Sequence, residues 1–441
     1  MTEKMEKEPL ADVLSTVAED PVIGVVGMGY AGLPVACLFA QKYPVIGYDM
    51  SERRITDLKK GIDSGHDFDS TLLLELQQNH MSLTTNKEDL RQCNFYVVVV
   101  PTPVDENNKP DLYCVESASE VVGYVIGRGD IVVYESTVYP GVTEEVCVPL
   151  IEKMSGLKFN EDFFAGYSPE RINPGSKEHT IFNTVKITSG STPEAADIVD
   201  DLYSSVLEAG THKASSIKVA ETAKVLENVQ RDVNIALMNE VAKIMAAMDV
   251  DTNEVINAAS TKWNFQPYRP GLVGGHCIGV DPFYLMHRAE QLGVEPRLIR
   301  AAREENDSMG KYVADQLIRR MTDKGIKMNK AKILLLGITF KENCPDIRNT
   351  RVIDIYRQLA LFTDQITVVD PWADPEMVKK EYGIEVTNEK EAYLEKYDGV
   401  MLCVAHRAFR SLNINKILAS PAVVYDVKGF LRQDEYVDAR L

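Results

Sequence analysis

The 441-residue sequence predicts an α/β protein in which two doubly wound parallel sheets are joined by a long central helix. Three observations lead there. Short β-branched runs alternate with amphipathic stretches in both halves of the chain, as parallel strands covered by helices require. The segment from Ser215 to Met248 contains neither Gly nor Pro and repeats its apolar residues at helical spacing. A glycine-rich turn, Gly27-Met-Gly-Tyr-Ala-Gly32, separates the first apolar run from the first helical stretch.

Residues 1–20 mix acids with bases and lack the apolar core of a signal peptide, so they are expected to form a polar leader. From residue 21, PVIGVVGMGYAGLPVACLFAQKYPVIGYDM reads as a strand, a helix and a second strand closing on Asp49. Further strands of the same sheet are expected at Phe95–Val100, Ile131–Tyr134, Phe163–Tyr167 and Val185–Thr188, giving a first domain over 21–212. A helical region follows over 213–325. It is interrupted by QPYRPGLVGGHCIGVDPFY, whose Pro and Gly content forbids a continued helix. Lys332–Gly337, Ile366–Asp370, Gly399–Val404 and Ala422–Asp426 read as strands of a second α/β domain over 326–441.

Composition narrows the function. Apolar residues make up 45% and charged residues 26% of the chain, a globular balance, and no apolar run is long enough to span a bilayer. A cytoplasmic protein with no membrane partner is expected. The net charge of −18 argues against a nucleic-acid partner. Seven cysteines, an odd number with no CxxC pair, argue against both a disulfide framework and a zinc module. No metal is expected.

The pattern Gly27, Gly29, Gly32 is GxGxxG at a strand-to-helix turn. The first glycine permits the turn, the second admits a pyrophosphate and the third lets helix and strand pack. Asp49 ends the next strand, where a carboxylate meets an adenosine ribose and repels a 2′-phosphate, so NAD is favoured over NADP. Arg53 and Arg54 temper that preference, since they could meet a phosphate or simply form a solvated helix face. Thr102 in VPTP, and Ser136 and Thr137 in ESTV, follow strand ends, where ligands of such sheets lie; helix caps use the same residues. Glu170, next to Arg171, also follows a strand. Lys224 and Asn228, spaced i, i+4, share one face of the long helix.

The stretch Gly271-Leu-Val-Gly-Gly-His-Cys-Ile-Gly-Val-Asp281 sets a cysteine among glycines. Adjacent His276 and Cys277 make poor joint metal ligands, and no second cluster has ligand spacing. The glycines put Cys277 where backbone amides can crowd a reacting carbon, with Asp281 four residues on.

Taken in order, GMGYAG with Asp49, VPTP, ESTVYPG, SPERINPG, AETAKVLEN, GGHCIGVD and FKENCPDIRNT resemble the nucleotide-sugar 6-dehydrogenases of the UDP-glucose/GDP-mannose dehydrogenase family over nearly the whole chain after residue 20. The resemblance implies two Rossmann-like domains, the first binding NAD through Gly27, Gly29, Tyr30, Ala31, Gly32, Asp49, Arg54, Thr102, Ser136 and Arg348, the second binding UDP. It also implies a central helical dimerisation region and hence a homodimer or higher homo-oligomer. SPERINPG and GGHCIGVD are similar to the branch acting on UDP-N-acetylhexosamines, as in Vi-type capsule and O-antigen synthesis. UDP-N-acetylglucosamine or UDP-N-acetylgalactosamine is therefore the expected substrate, ahead of UDP-N-acetylmannosamine and UDP-glucose.

The activity so implied is a four-electron oxidation of a C6 alcohol to a carboxylate through a covalent adduct of Cys277. Lys224 and Asn228 are expected to hold the oxyanions; Glu170, Asp281 and Thr137 to handle protons and water; and Arg171, Tyr268, Arg269, Gly274, Phe340 and Lys341 to meet the UDP-sugar. A two-electron β-hydroxyacid dehydrogenase would need neither the loop cysteine nor the second α/β domain.

Overall fold

The computed structural model describes residues 9–63, 70–171, 181, 183–431 and 436–441. It divides into two compact units, one comprising residues up to Leu226 with Phe283–Leu292, the other Glu227–Pro282 with Gly293–Leu441.

The first unit is built on a six-stranded parallel sheet of β1 (Ile23–Val26), β2 (Val45–Tyr48), β3 (Met81–Thr84), β4 (Phe95–Val98), β5 (Ile131–Tyr134) and β6 (Phe164–Tyr167). The strand order β3-β2-β1-β4-β5-β6 is that of a dinucleotide-binding sheet, with the order reversing beside β1. β1, β4, β5 and β6 are buried at every position, because helices cover both faces of a parallel sheet and leave no wet side. The helix Gly32–Phe39 is buried along its whole length for the same reason. Leu14, between the short helices Leu10–Val13 and Ser15–Glu19, and Val17 of the second join this core, so part of the polar leader is packed.

One expected strand departs from the sheet. β7 (Lys186–Thr188) pairs with β8 (Thr211–Lys213) as a separate two-stranded ribbon. The Lys186 and Thr188 side chains point to acidic partners, Glu135 and Asp200, in place of an apolar neighbour. The edge of β6 is met by an antiparallel bridge between Gly166 and Gly190, with the Ser191 amide donating to the Ala165 carbonyl at 2.8 Å.

The second unit carries a five-stranded parallel sheet of β9 (Ile333–Leu336), β10 (Ile366–Val369), β11 (Tyr397–Leu402), β12 (Leu418–Asp426) and β13 (Ala439–Arg440) in the order β10-β9-β11-β12-β13. This is the other common doubly wound order. Two apolar clusters line its faces, one of them formed with Met309, Val313, Leu317 and Met321 of the helix Arg297–Asp323. The expected fold class, two doubly wound sheets with a long helix, is the one observed. That long helix runs unbroken over Ile217–Ala247. Among the described residues no helix is long and apolar enough to cross a membrane.

Candidate active site

The glycine turn has a distinct job at each position. Gly27 adopts φ +99°, and a Cβ there would lie 2.2 Å from the Val99 carbonyl oxygen. At Gly32 a Cβ would stand 1.8 Å from the Gly27 oxygen. At Gly29 nothing lies within 4 Å, which leaves the approach open for a pyrophosphate at the helix N-terminus. These residues fit NAD. Tyr30 is partly exposed beside this opening, and Ala31 precedes the first helical residue.

Asp49 accepts hydrogen bonds from the amides of Met28 and Ser51, each at 2.9 Å, which ties the end of β2 to the glycine turn. Arg54 donates from Nε to the Met28 carbonyl at 2.7 Å and pairs with Asp63 at 2.9 Å, whereas Arg53 is a solvated neighbour of Asp57. Beyond β4, the Tyr284 hydroxyl donates to the Pro103 carbonyl at 3.1 Å and so anchors the VPTP turn that carries half-buried Thr102. Ser136 is buried, its Oγ accepting from the Val100 amide at 2.9 Å, while Thr137 beside it is partly exposed.

Glu170 rests on a buried ion pair. Lys186 Nζ donates to Glu135 at 2.7 Å and to the Pro169 carbonyl at 3.1 Å, and the Tyr203 hydroxyl donates to the other Glu135 oxygen. Burial pushes the Glu135 carboxyl up, and Lys186 opposes the shift. Lys186 thereby supports the turn holding Glu170, which is itself buried and lines a small cavity with Arg171, Thr184 and Val185. Arg171 donates to the Val185 carbonyl at 2.6 Å. Positions 172–175 of SPERINPG lie outside the described residues.

The long helix carries Glu221, Lys224, Asn228, Asp232 and Asn239 on one stripe, within about 80° around its axis. All five are at most 7% exposed. Lys224 and Asn228 thus share a buried face as their spacing predicts. Glu221, which sequence reasoning missed, accepts from the amides of Gly141 and Thr143 at 2.6 and 3.0 Å and fastens the end of ESTVYPG to AETAKVLEN. Desolvation raises its carboxyl to about 7, the two amides opposing. Its spacing of three residues from Lys224 was the available signal.

In the second unit, Asn228 Nδ2 donates to Asp281 Oδ2 at 2.6 Å, with Asp281 only 1% exposed. The Asp281 amide donates to the Cys277 carbonyl at 2.9 Å, a turn that leads into the helix Asp281–Gln291. Cys277 is partly exposed. The preceding glycines are explained by the segment 339–350: a Cβ on Gly274 would lie 2.6 Å from the Asn349 oxygen, and one on Gly275 would lie 2.8 Å from the Phe340 ring. GGHCIGVD and FKENCPDIRNT therefore form one structure. Gly274, Phe340 and Lys341 line a cleft with Thr350, Arg351 and Lys428 beyond the carboxyl end of β9. Arg348 forks onto Asp346 at 2.7 to 3.2 Å. Tyr268 donates to Gln230 at 2.9 Å, and Arg269 reaches Asn253 and Asn257, both at 2.6 Å. Burial lowers the pKa of His276, which favours its neutral form. Among the described residues no metal-holding cluster of His, Cys, Asp and Glu occurs.

Comparison with known proteins agrees with this architecture. Residues 22–207 match the NAD binding domain of the UDP-glucose/GDP-mannose dehydrogenase family, 218–308 its central domain and 334–433 its UDP binding domain. The chain is 54% identical to the UDP-N-acetyl-D-glucosamine 6-dehydrogenase of Pseudomonas aeruginosa, over 95% of this chain and 99% of that protein. It is 49% identical to the enzyme of the same name from Salmonella typhi, over 95% and 98%. A solved structure of UDP-D-ManNAc dehydrogenase from Pyrococcus horikoshii superimposes with a TM-score of 0.86 at 30% identity, covering 95% of this chain and 98% of that one. The chain belongs to the UDP-glucose/GDP-mannose dehydrogenase family and is an NAD-dependent oxidoreductase.

Proposed function

We propose that the protein oxidises the C6 alcohol of UDP-N-acetylglucosamine to the carboxylate, consuming two NAD and one water and releasing two NADH and three protons. The observation that carries this reading is the near full-length likeness to two UDP-N-acetyl-D-glucosamine 6-dehydrogenases. NAD, when bound, supplies the hydride acceptor for both oxidations.

The chain's own residues do the rest. After the first oxidation the Cys277 thiolate adds to the C6 aldehyde, forming a carbon–sulfur bond and a thiohemiacetal oxyanion. Lys224 and Asn228 hold that oxyanion, with a fixed cation and a fixed dipole on one helix face. Asp281 takes one hydrogen of the Asn228 NH2 group, which orients the amide so that its second hydrogen serves the substrate. Loss of the second hydride leaves a thioester. Water then attacks with Glu170 as general base and with Thr137 and Asp281 orienting it, and the thiolate departs as the carbon–sulfur bond breaks. In this reading Gly274, Phe340 and Lys341 hold the nucleotide in the cleft beyond β9, and Arg171, Tyr268 and Arg269 meet the sugar.

The three-part division at about residues 212 and 325 belongs to the same reading, as does a homodimer. The support for pairing is the exposed apolar row Val219, Leu226, Leu237 and Ile244 along the long helix. The seven cysteines stand as thiols and form no disulfide, which fits work in a reducing cytoplasm, and the product would supply a surface polysaccharide. Given UDP-N-acetylglucosamine, the enzyme should release two NADH per uronate, and Cys277→Ala should abolish uronate formation while retaining NAD binding. A stoichiometry of one, or a fully active Cys277→Ala enzyme, refutes the mechanism.

A further inference from the structure

The loop bearing Cys277 has no regular secondary structure between Asn264 and Gly274, yet it is held by a fully buried amide. Asn239 Oδ1 accepts from the Gly271 amide at 2.8 Å, and Asn239 Nδ2 donates to the Gly271 carbonyl at 3.1 Å. Both polar groups of one loop residue are thus satisfied by one side chain of the long helix, which is 0% exposed.

The orientation of that side chain is determined by its neighbours. Arg303 Nη1, which can only donate, occupies Asp232 Oδ1 at 2.6 Å. Asn306 Nδ2 also donates to Asp232, at 2.7 Å to Oδ1 and 3.0 Å to the backbone oxygen. The amide of Asn306 must therefore turn its oxygen to Asn239, which answers with Nδ2 at 2.8 Å. The Asn239 oxygen is left facing the Gly271 amide, and a flip would set donor against donor there and oxygen against oxygen at the Gly271 carbonyl and at Asn306. From Gly271 the chain passes through buried Val273 to Gly274 and Gly275, which abut Asn349 and Phe340, and then to Cys277.

We infer that Asn239, oriented by Asn306 and Asp232, is a positioning residue for Cys277: it sets where the thiol stands when the aldehyde must be attacked. The inference rests on the proposed role of Cys277 as nucleophile. It predicts a selective defect, because the first oxidation does not use the thiol and the second does.

The test is single-turnover kinetics with saturating UDP-N-acetylglucosamine and NAD, following each NADH in turn. Asn239→Ala should form the first NADH at close to the parent rate and the second about a hundredfold more slowly, the effect of roughly 1 Å of misplacement. Asn306→Ala, which leaves the loop contacts in place but removes the partner that helps to orient the Asn239 amide, should show the same selective defect more weakly. If Asn239→Ala does not fold, Asn306→Ala and hydrogen exchange of the parent decide: the Gly271 amide should exchange as slowly as the amides of the long helix. Equal slowing of both steps, an effect on KM alone, or rapid exchange at Gly271 overturns the inference. Two NADH from Cys277→Ala would instead overturn the reading on which it rests, so the two failures are distinguishable.

Discussion

Asn228 and Asp281, 53 residues apart, meet in a buried 2.6 Å hydrogen bond. The two ends of this bond should respond differently to substitution. Asp281→Asn still offers a carbonyl oxygen to Asn228, so the protein should fold with little change in Tm, while kcat falls about 10²- to 10⁴-fold through loss of a charged proton-handling group. Asn228→Ala leaves a buried carboxylate short of a donor and should cost about 1–3 kcal/mol of stability as well as activity. Thermal melts alongside kcat check both. An Asp281→Asn enzyme of near-parent kcat would remove Asp281 from the chemistry.

The glycine turn offers a paired experiment on one motif. Gly32→Ala drives a methyl into the Gly27 carbonyl and should yield a protein destabilised by several kcal/mol, about the scale of severe core overpacking. Gly29→Ala meets no protein atom and should fold normally, yet raise KM for NAD by about tenfold or more by blocking the pyrophosphate. Equal loss of Tm in both variants would contradict the distinct roles.

Glu221 makes stability depend on pH. Its folded pKa is raised from 4.5 to about 7, so the folded state binds the proton more tightly than the unfolded chain. The resulting contribution is fully present below about pH 4.5 and is lost as pH rises through 7, a change of about 3 kcal/mol. Glu221→Gln cannot titrate. Relative to Glu221→Gln, the parent should therefore lose stability between pH 5 and pH 8, approximately the titration window. Denaturant melts at both ends of that interval measure the difference, and parallel pH profiles for the two proteins would refute it.

Tyr284→Phe removes only the hydroxyl that holds the Pro103 carbonyl. The expected loss is about 1 kcal/mol of stability. Because Pro103 follows Thr102 in the turn expected to meet the cofactor, KM for NAD should rise several-fold with kcat little changed. A drop in kcat at unchanged KM would speak against that placement of the turn.

The features that were legible from sequence are local or periodic. GxGxxG, the βαβ unit ending at Asp49 and the Gly- and Pro-free helix announce themselves within short windows, and Lys224 and Asn228 share a face by spacing alone. What escaped is set by pairing across distance. Asn239 meets Gly271 across 32 residues and Asn306 meets Asp232 across 74, and nothing in either neighbourhood names the partner. Val185–Thr188 reads as another strand of the sheet because β-propensity does not reveal that its Lys and Thr side chains seek Glu135 and Asp200. Arg54, a plausible phosphate ligand by position, is engaged by Asp63 nine residues on. At GGHC the glycines were visible, but the atoms they accommodate, on Phe340 and Asn349, belong to a motif some 65 residues downstream.

The polar stripe of the long helix acts as a ruler. From Glu221 to Asn239 it spans about 27 Å at 1.5 Å per residue, and its bonded marks each grip a different segment of the chain. A ruler of this kind tolerates exchange of its outer residues but not a change of count. One residue inserted between Asp232 and Asn239 would turn every later mark by about 100°, carrying Asn239 off Gly271 while Glu221 and Asn228 kept their grips.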